Sequence, residues 1–238
     1  MANPHDSGDG VGARTLVVRL WLPDRPGALG QVASRIGAVR GDLLAIDILE
    51  RGGGQVIDEL VVSLPDETPQ ELLVMEIGAV DGVAVEDIRA VPSGRPDPVM
   101  AMFELGARVA EAEPGDAVTT LGTGLVWALD ADWVVITDPS GDVVFGLGEA
   151  PDPAWLRAFL DGSTHLGEVD RDGVDRSPAD VMWARLPASA LSVTLGRAAR
   201  AAHDLERTRL RLLARTLDGV LAASLGRPGA RELSRDER

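Results

Sequence analysis

Between Thr15 and Leu22 apolar and polar residues alternate, with Leu16, Val18, Leu20 and Leu22 on one side, the period-two signature of a half-buried strand. After Asp24-Arg25-Pro26-Gly27 the period changes. Leu29, Val32, Ala33, Ile36 and Val39 recur at helical spacing, and Gly41 is placed to end that helix. Leu43–Glu50 and Val56–Leu64 read as strands joined through Arg51-Gly52-Gly53-Gly54, a hairpin connection. A second helix over Thr68–Val80 turns Leu72, Leu73, Ile77 and Val80 inward, and Val83–Val91 reads as a fourth strand. The order βαββαβ predicts a ferredoxin-like α+β unit, two helices on one face of a four-stranded antiparallel sheet.

The pattern breaks at Val91-Pro-Ser-Gly-Arg-Pro-Asp-Pro98, a turn-rich seam between periodic segments. Beyond it, Pro98–Glu113 is helical, with Val99, Met102, Phe103 and Val109 in phase, and Asp116–Leu129 is a second helix with Asp116 as N-cap. Trp133–Thr137 and Val143–Leu147 are short strands around the turn Asp138-Pro139-Ser140-Gly141. Pro153–Leu160 is a short helix, His165–Pro178 a charged loop, and Val181–Leu186 with Leu191–Leu195 a closing strand pair. A long amphipathic helix over Ala199–Leu225 carries Leu205, Leu212, Leu213, Leu217, Val220 and Leu221 along one stripe. The expected organisation is a tail over residues 1–13, a domain over 14–92, a linker over 93–98, a second α/β domain over 99–225 and a charged tail over 226–238.

Composition narrows the chemistry. The 238 residues include no cysteine and only His5, His165 and His203 as histidines, which removes disulfides, thiolate catalysis and cysteine metal sites. All 23 basic residues are arginine, so neither a Schiff-base lysine nor a P-loop lysine exists. A net charge of −15 argues against binding nucleic acid through its phosphates. Met1–Arg14 lacks the apolar run of a secretory signal, and no stretch is long and apolar enough to span a membrane. A cytoplasmic protein is expected.

The chemistry of the first βα loop is legible locally. Pro26 suits a first helical turn, and Gly27 removes a Cβ where a ligand approaches main chain. The N–H groups of Gly27, Ala28, Leu29 and Gly30 then point outward at the positive end of the helix, a receptor for an α-carboxylate, with Arg25 beside it and Asp24 placed to accept the ammonium group. The same residues also make an ordinary tight turn with Asp24 as a helix cap. Asp42, Asp47 and Asp58 offer further polarity, although each is more commonly a solvated strand or turn residue.

Leu22-Pro23-Asp24-Arg25-Pro26-Gly27-Ala28-Leu29, the helix after it and Gly41 resemble an ACT domain over Thr15–Pro92. That resemblance implies a regulatory module that pairs side by side and binds an amino acid between its first loop and a neighbouring copy. Serine-binding members carry asparagine in a Gly-x-Asn-Ile pattern. Here the stretch is Gly41-Asp42-Leu43-Leu44, and Leu43 favours a ligand with an apolar or branched side chain. The site implied comprises Asp24, Arg25, Pro26, Gly27, Ala28, Leu29, Asp42 and Leu43. Pro98–Leu225 more weakly resembles a GAF-like domain, carried by Trp133-Val-Val-Ile-Thr-Asp-Pro-Ser-Gly-Asp142 and the terminal helix. A roadblock- or PAS-like domain has the same periodicity.

Other motifs lead nowhere. Gly122-Thr-Gly124 and Gly146-Leu-Gly148 lack the third glycine of a dinucleotide fingerprint and read as packing or turn glycines. Asp170, Asp172 and Asp175 lack the bidentate glutamate and spacing of a calcium loop. Trp127, Trp133, Trp155 and Trp183, with Phe145 and Phe159, read as the second domain's core. His203 and Arg207, Arg209, Arg211 and Arg215 read as surface residues of the last helix. The expectation is a non-catalytic amino-acid sensor without cofactor or metal, a homodimer, with an unidentified protein partner left open. The alternatives are an enzyme with an unrecognised site in the second domain and a structural dimer without ligand.

Overall fold

Eight strands and six helices form two four-stranded antiparallel sheets in a computed structural model that describes residues 12–169 and 180–226. The chain divides into two compact units at Arg95/Pro96. In the first unit β1 (Ala13–Pro23) pairs with β3 (Gln55–Pro65) and with β4 (Ala84–Val91), and β2 (Asp42–Gly52) lies outside β3, in the order β2-β3-β1-β4. Helices α1 (Ala28–Ala38) and α2 (Gln70–Gly78) pack on one face. Leu16, Val18, Leu20 and Leu22 meet Val56, Leu60, Val62 and Leu64 there, with Val32, Ile36, Leu73 and Ile77 above them. Gly53 and Gly54, both at positive φ, close the β2–β3 hairpin, as the twist of two-residue hairpins requires.

The opposite face of that sheet is not the polar surface that alternation implies. Val17 and Arg19 are buried, and Arg19 reaches Glu59 at 2.6 Å, with Arg89 joining Glu59 at 3.5 Å. The helix ends differ as well. α2 begins at Gln70 rather than Thr68, whose hydroxyl instead donates to Val39 O at 3.4 Å. The left-handed residue after α1 is Arg40, while Gly41 is small because a Cβ there would stand 2.9 Å from Ile36.

In the second unit β5 (Trp133–Thr137), β6 (Val143–Leu147), β7 (Val181–Leu186) and β8 (Leu191–Gly196) take the order β6-β5-β8-β7. Helices α3 (Pro98–Glu111), α4 (Ala117–Ala128) and α6 (Asp204–Ser224) build the main core, and α5 (Pro153–Val169) supplies Leu156 to a smaller cluster with Trp133, Val135 and Val181. Asp97 caps α3, its carboxylate accepting from Val99 N and Met100 N at 2.8 and 3.1 Å. Asp116 occupies the N-cap position of α4 but its side chain makes no cap bond.

Several expectations for this unit are corrected. α5 runs to Val169, so His165 lies in a helix and not in a loop; Asp170, Asp172, Asp175 and the rest of that loop fall outside the described residues, as do residues 1–11 and 227–238. Val99 and Phe103 are exposed, because the buried stripe of α3 is Ala101, Met102, Leu105 and Val109. Leu212 is exposed too, the inward positions of α6 being Leu210, Leu213, Leu217 and Leu221. Of the tryptophans Trp133 is buried, while Trp127 and Trp155 are exposed, Trp155 stacking on Phe159 with centroids 5.3 Å apart. Gly122 and Gly124 are packing glycines: a Cβ would overlap Phe145 at one and Leu105 at the other.

Buried charges in this unit hold connections in place. Arg197, on the exit of β8, pairs with Glu206 at 2.6 Å and donates to the carbonyls of Leu129, Asp130 and Ala201. His203 is buried, not on a charged surface, and its N–H donates to Glu206 at 3.0 Å, starting α6. Arg207 is buried and donates to Val181 O, and Asp218 accepts from Ala188 N and Ser189 N, each at 2.8 Å, fixing the β7–β8 turn. Among the described residues no helix is long and apolar enough to cross a membrane.

Candidate functional site

The site starts from β1 running out at Pro23, opposite Gln55. Asp24 N donates to Gly54 O at 3.0 Å and Arg25 N to Pro23 O at 2.8 Å, so the chain turns sharply over the β2–β3 hairpin. Gly27 is the N-cap of α1, with φ 86 and ψ −10, a conformation that costs an L-residue about 1–2 kcal/mol and glycine nothing. Pro26 therefore lies before the cap, not in the first helical turn. No side chain caps α1 and no acidic residue lies in its first turn.

The N–H groups divide. Ala28 N donates to Arg25 O at 3.3 Å, so it is not one of the outward donors expected, and its side chain is buried. The N–H groups of Leu29 and Gly30 have no acceptor among the described residues. Asp24, Arg25, Pro26 and Gly27 are exposed around them and Leu29 is half-buried. Asp24 does not cap the helix; its carboxylate takes Arg51 at 3.3 Å in an exposed pair.

Asp58, expected to be solvated, is instead buried and completes the local set. It is 3% exposed on β3, paired with Leu20 on one side and Ile48 on the other. Its Oδ1 is buried and meets no hydrogen-bond donor. Burial pushes its carboxyl above the ordinary value, Arg51 opposes that shift, and Asp24 adds to it. Its position in phase with Val56, Leu60, Val62 and Leu64 is the sequence signal that marks it as inward-facing.

Asp42 and Leu43 are not brought to this loop. Asp42 pairs with Ser63 and Leu43 with Val62, whereas Pro23 pairs with Gln55. Those eight strand positions correspond to about 27 Å at the rise of an extended chain. The two halves of the implied site thus sit at opposite ends of α1 within one chain. Between them runs β2, an edge strand that exposes Leu44, Ile46 and Ile48 at 54%, 43% and 42%. Among the described residues no group of three or more acidic or histidine side chains is placed to hold a metal ion.

No protein-family profile matches the chain, and no curated protein matches it. Solved structures with similar stretches include an uncharacterized protein from Thermotoga maritima, 21% identical with a TM-score of 0.28, covering 34% of this chain and 100% of that one. A formyltetrahydrofolate deformylase from Pseudomonas putida KT2440 is 15% identical with a TM-score of 0.29, covering 45% of this chain and 39% of that one. An unknown protein from Galdieria sulphuraria is 11% identical with a TM-score of 0.31, covering 79% of this chain and 99% of that one. Overlaps this loose carry no functional argument; the residues of the loop and of β3 carry it instead.

Proposed function

We propose that this chain is a non-catalytic amino-acid sensor in which the first unit is an ACT-like, ferredoxin-like module and the second a GAF-like domain. The observation that carries the reading is the start of α1: a left-handed glycine, no capping side chain, and two N–H groups without acceptors. Such a helix end attracts a carboxylate through its donors and its dipole together. A ligand with an apolar or branched side chain fits the leucine at position 43 and the exposed isoleucines of β2.

The reading includes a second copy. A two-fold pairing of β2 edges covers Leu44, Ile46 and Ile48, and an antiparallel seam sets the loop end of one copy against the Asp42–Leu43 end of its partner. Both halves of the site then serve one ligand, and binding is linked to self-association. The test is a thermal-shift screen of the full chain against the twenty amino acids. A ligand at a hundred times its Kd stabilises by about 2.7 kcal/mol, a shift of several degrees for a small domain. A shift with a branched apolar amino acid that Gly27→Val removes supports the reading; twenty unchanged melting curves refute it.

A further inference from the structure

We infer that Asp58, and not Asp24, receives the ammonium group of an amino acid bound at the Gly27 loop, which makes the site a reader of zwitterions. The inference rests on the reading of that loop as an amino-acid site. Its ground is the distribution of charge. Asp24 is already paired with Arg51 at 3.3 Å. Asp58 stands 3% exposed with an oxygen that has no donor, in a row whose other members, Leu20 and Ile48, offer none.

A buried carboxylate oxygen without a hydrogen-bond donor is costly in the free protein, the nearby charge of Arg51 offsets that cost only in part, and a cation delivered by a ligand removes it. Asp58 lies three strand positions along β3 from Gln55, which faces the end of β1 at Pro23, and the charges of Arg51 and Asp24 both act on it. The N–H groups of Leu29 and Gly30 and the buried Oδ1 of Asp58, which meets no donor, therefore belong to the loop end of the unit and attract opposite charges. A zwitterion answers both. A simple carboxylate sets its charge against Asp58, and a simple amine leaves the helix end unanswered. Ile48, beside Asp58 on the open edge strand and 42% exposed, is an apolar wall for the side chain.

Calorimetry on the full chain tests this with L-leucine and with 4-methylpentanoate, the same skeleton without its ammonium. Wild type is expected to bind L-leucine at least about thirtyfold more tightly than 4-methylpentanoate, the loss typical of a buried charge pair deprived of one member. Asp58→Asn is expected to lose about the same factor towards L-leucine and to bind 4-methylpentanoate no more weakly than wild type. A melting temperature of Asp58→Asn at or above that of wild type shows that the fold is intact. Equal affinity of wild type for the two compounds overturns the assignment without use of any variant. Unchanged L-leucine affinity in Asp58→Asn, together with its loss in Gly27→Val, overturns Asp58 as the acceptor and leaves the loop reading standing. No binding of L-leucine, L-isoleucine or L-valine to wild type overturns both.

Discussion

Asp58 is buried because it shares the inward phase of Val56, Leu60, Val62 and Leu64, and burial lifts its carboxyl above the ordinary 3.8. With the folded value above the unfolded one, the stability associated with this group is fully present below pH 3.8 and is lost as pH rises through the folded value. Asp58→Asn therefore raises stability by about 1 kcal/mol near pH ~7 and gains nothing near pH ~3. Urea titrations at the two pH values check both halves of that statement. Gly27→Val is expected to lower stability by about 1–2 kcal/mol through backbone strain alone, because nothing lies within 4 Å of the added Cβ. A urea midpoint shift with an unchanged slope reads that cost, and loss of amino-acid binding beyond it reports the site. The loop is legible as a turn because Pro26 and Gly27 mark one before a helix, but the cap expected of Asp24 and the helical position expected of Pro26 do not form, Gly27 being the N-cap itself. Asp58 is legible only through its phase with Val56, Leu60, Val62 and Leu64, because an aspartate by itself points to a solvated position.

At the scale of elements, periodicity locates the strands and most helices, and it fails where the deciding partner is distant in sequence. The stripe of α6 includes Leu210 and omits Leu212, a choice set by the sheet and by α3 rather than by the helix itself. Arg197 and Glu206 carry no motif, yet they tie the end of β8, the start of α6 and the carbonyls just after α4 into one buried network. Glu206→Ala leaves the Arg197 guanidinium buried without its counter-ion, and its expected cost is about 3–5 kcal/mol. Replacing both, with Arg197→Met and Glu206→Leu, is expected to cost much less than the sum of the single changes. Chemical denaturation of the two single variants and the double variant measures the coupling directly.

The whole molecule carries an open apolar edge on a chain of net charge −15. An uncovered edge strand of this kind is an association surface unless something covers it, and a second copy does so with main-chain hydrogen bonds as well as apolar contact. Ile46→Arg sets two like charges against each other across a two-fold seam. It is expected to give a monomer whose melting temperature no longer depends on protein concentration, read by sedimentation and by thermal melts over a dilution series. Added salt is expected to strengthen the wild-type dimer, because it screens repulsion between two acidic copies.

In the proposed assembly a second copy completes a site split between the two ends of α1, so ligand and dimer stabilise each other reciprocally. Light scattering by the full chain over a dilution series, with and without millimolar L-leucine, reads that linkage in one experiment. The expected result is a species of twice the 25.1-kDa chain mass that persists to lower protein concentration when the amino acid is present. A 25.1-kDa monomer at tens of micromolar under both conditions contradicts the linkage and the dimer together.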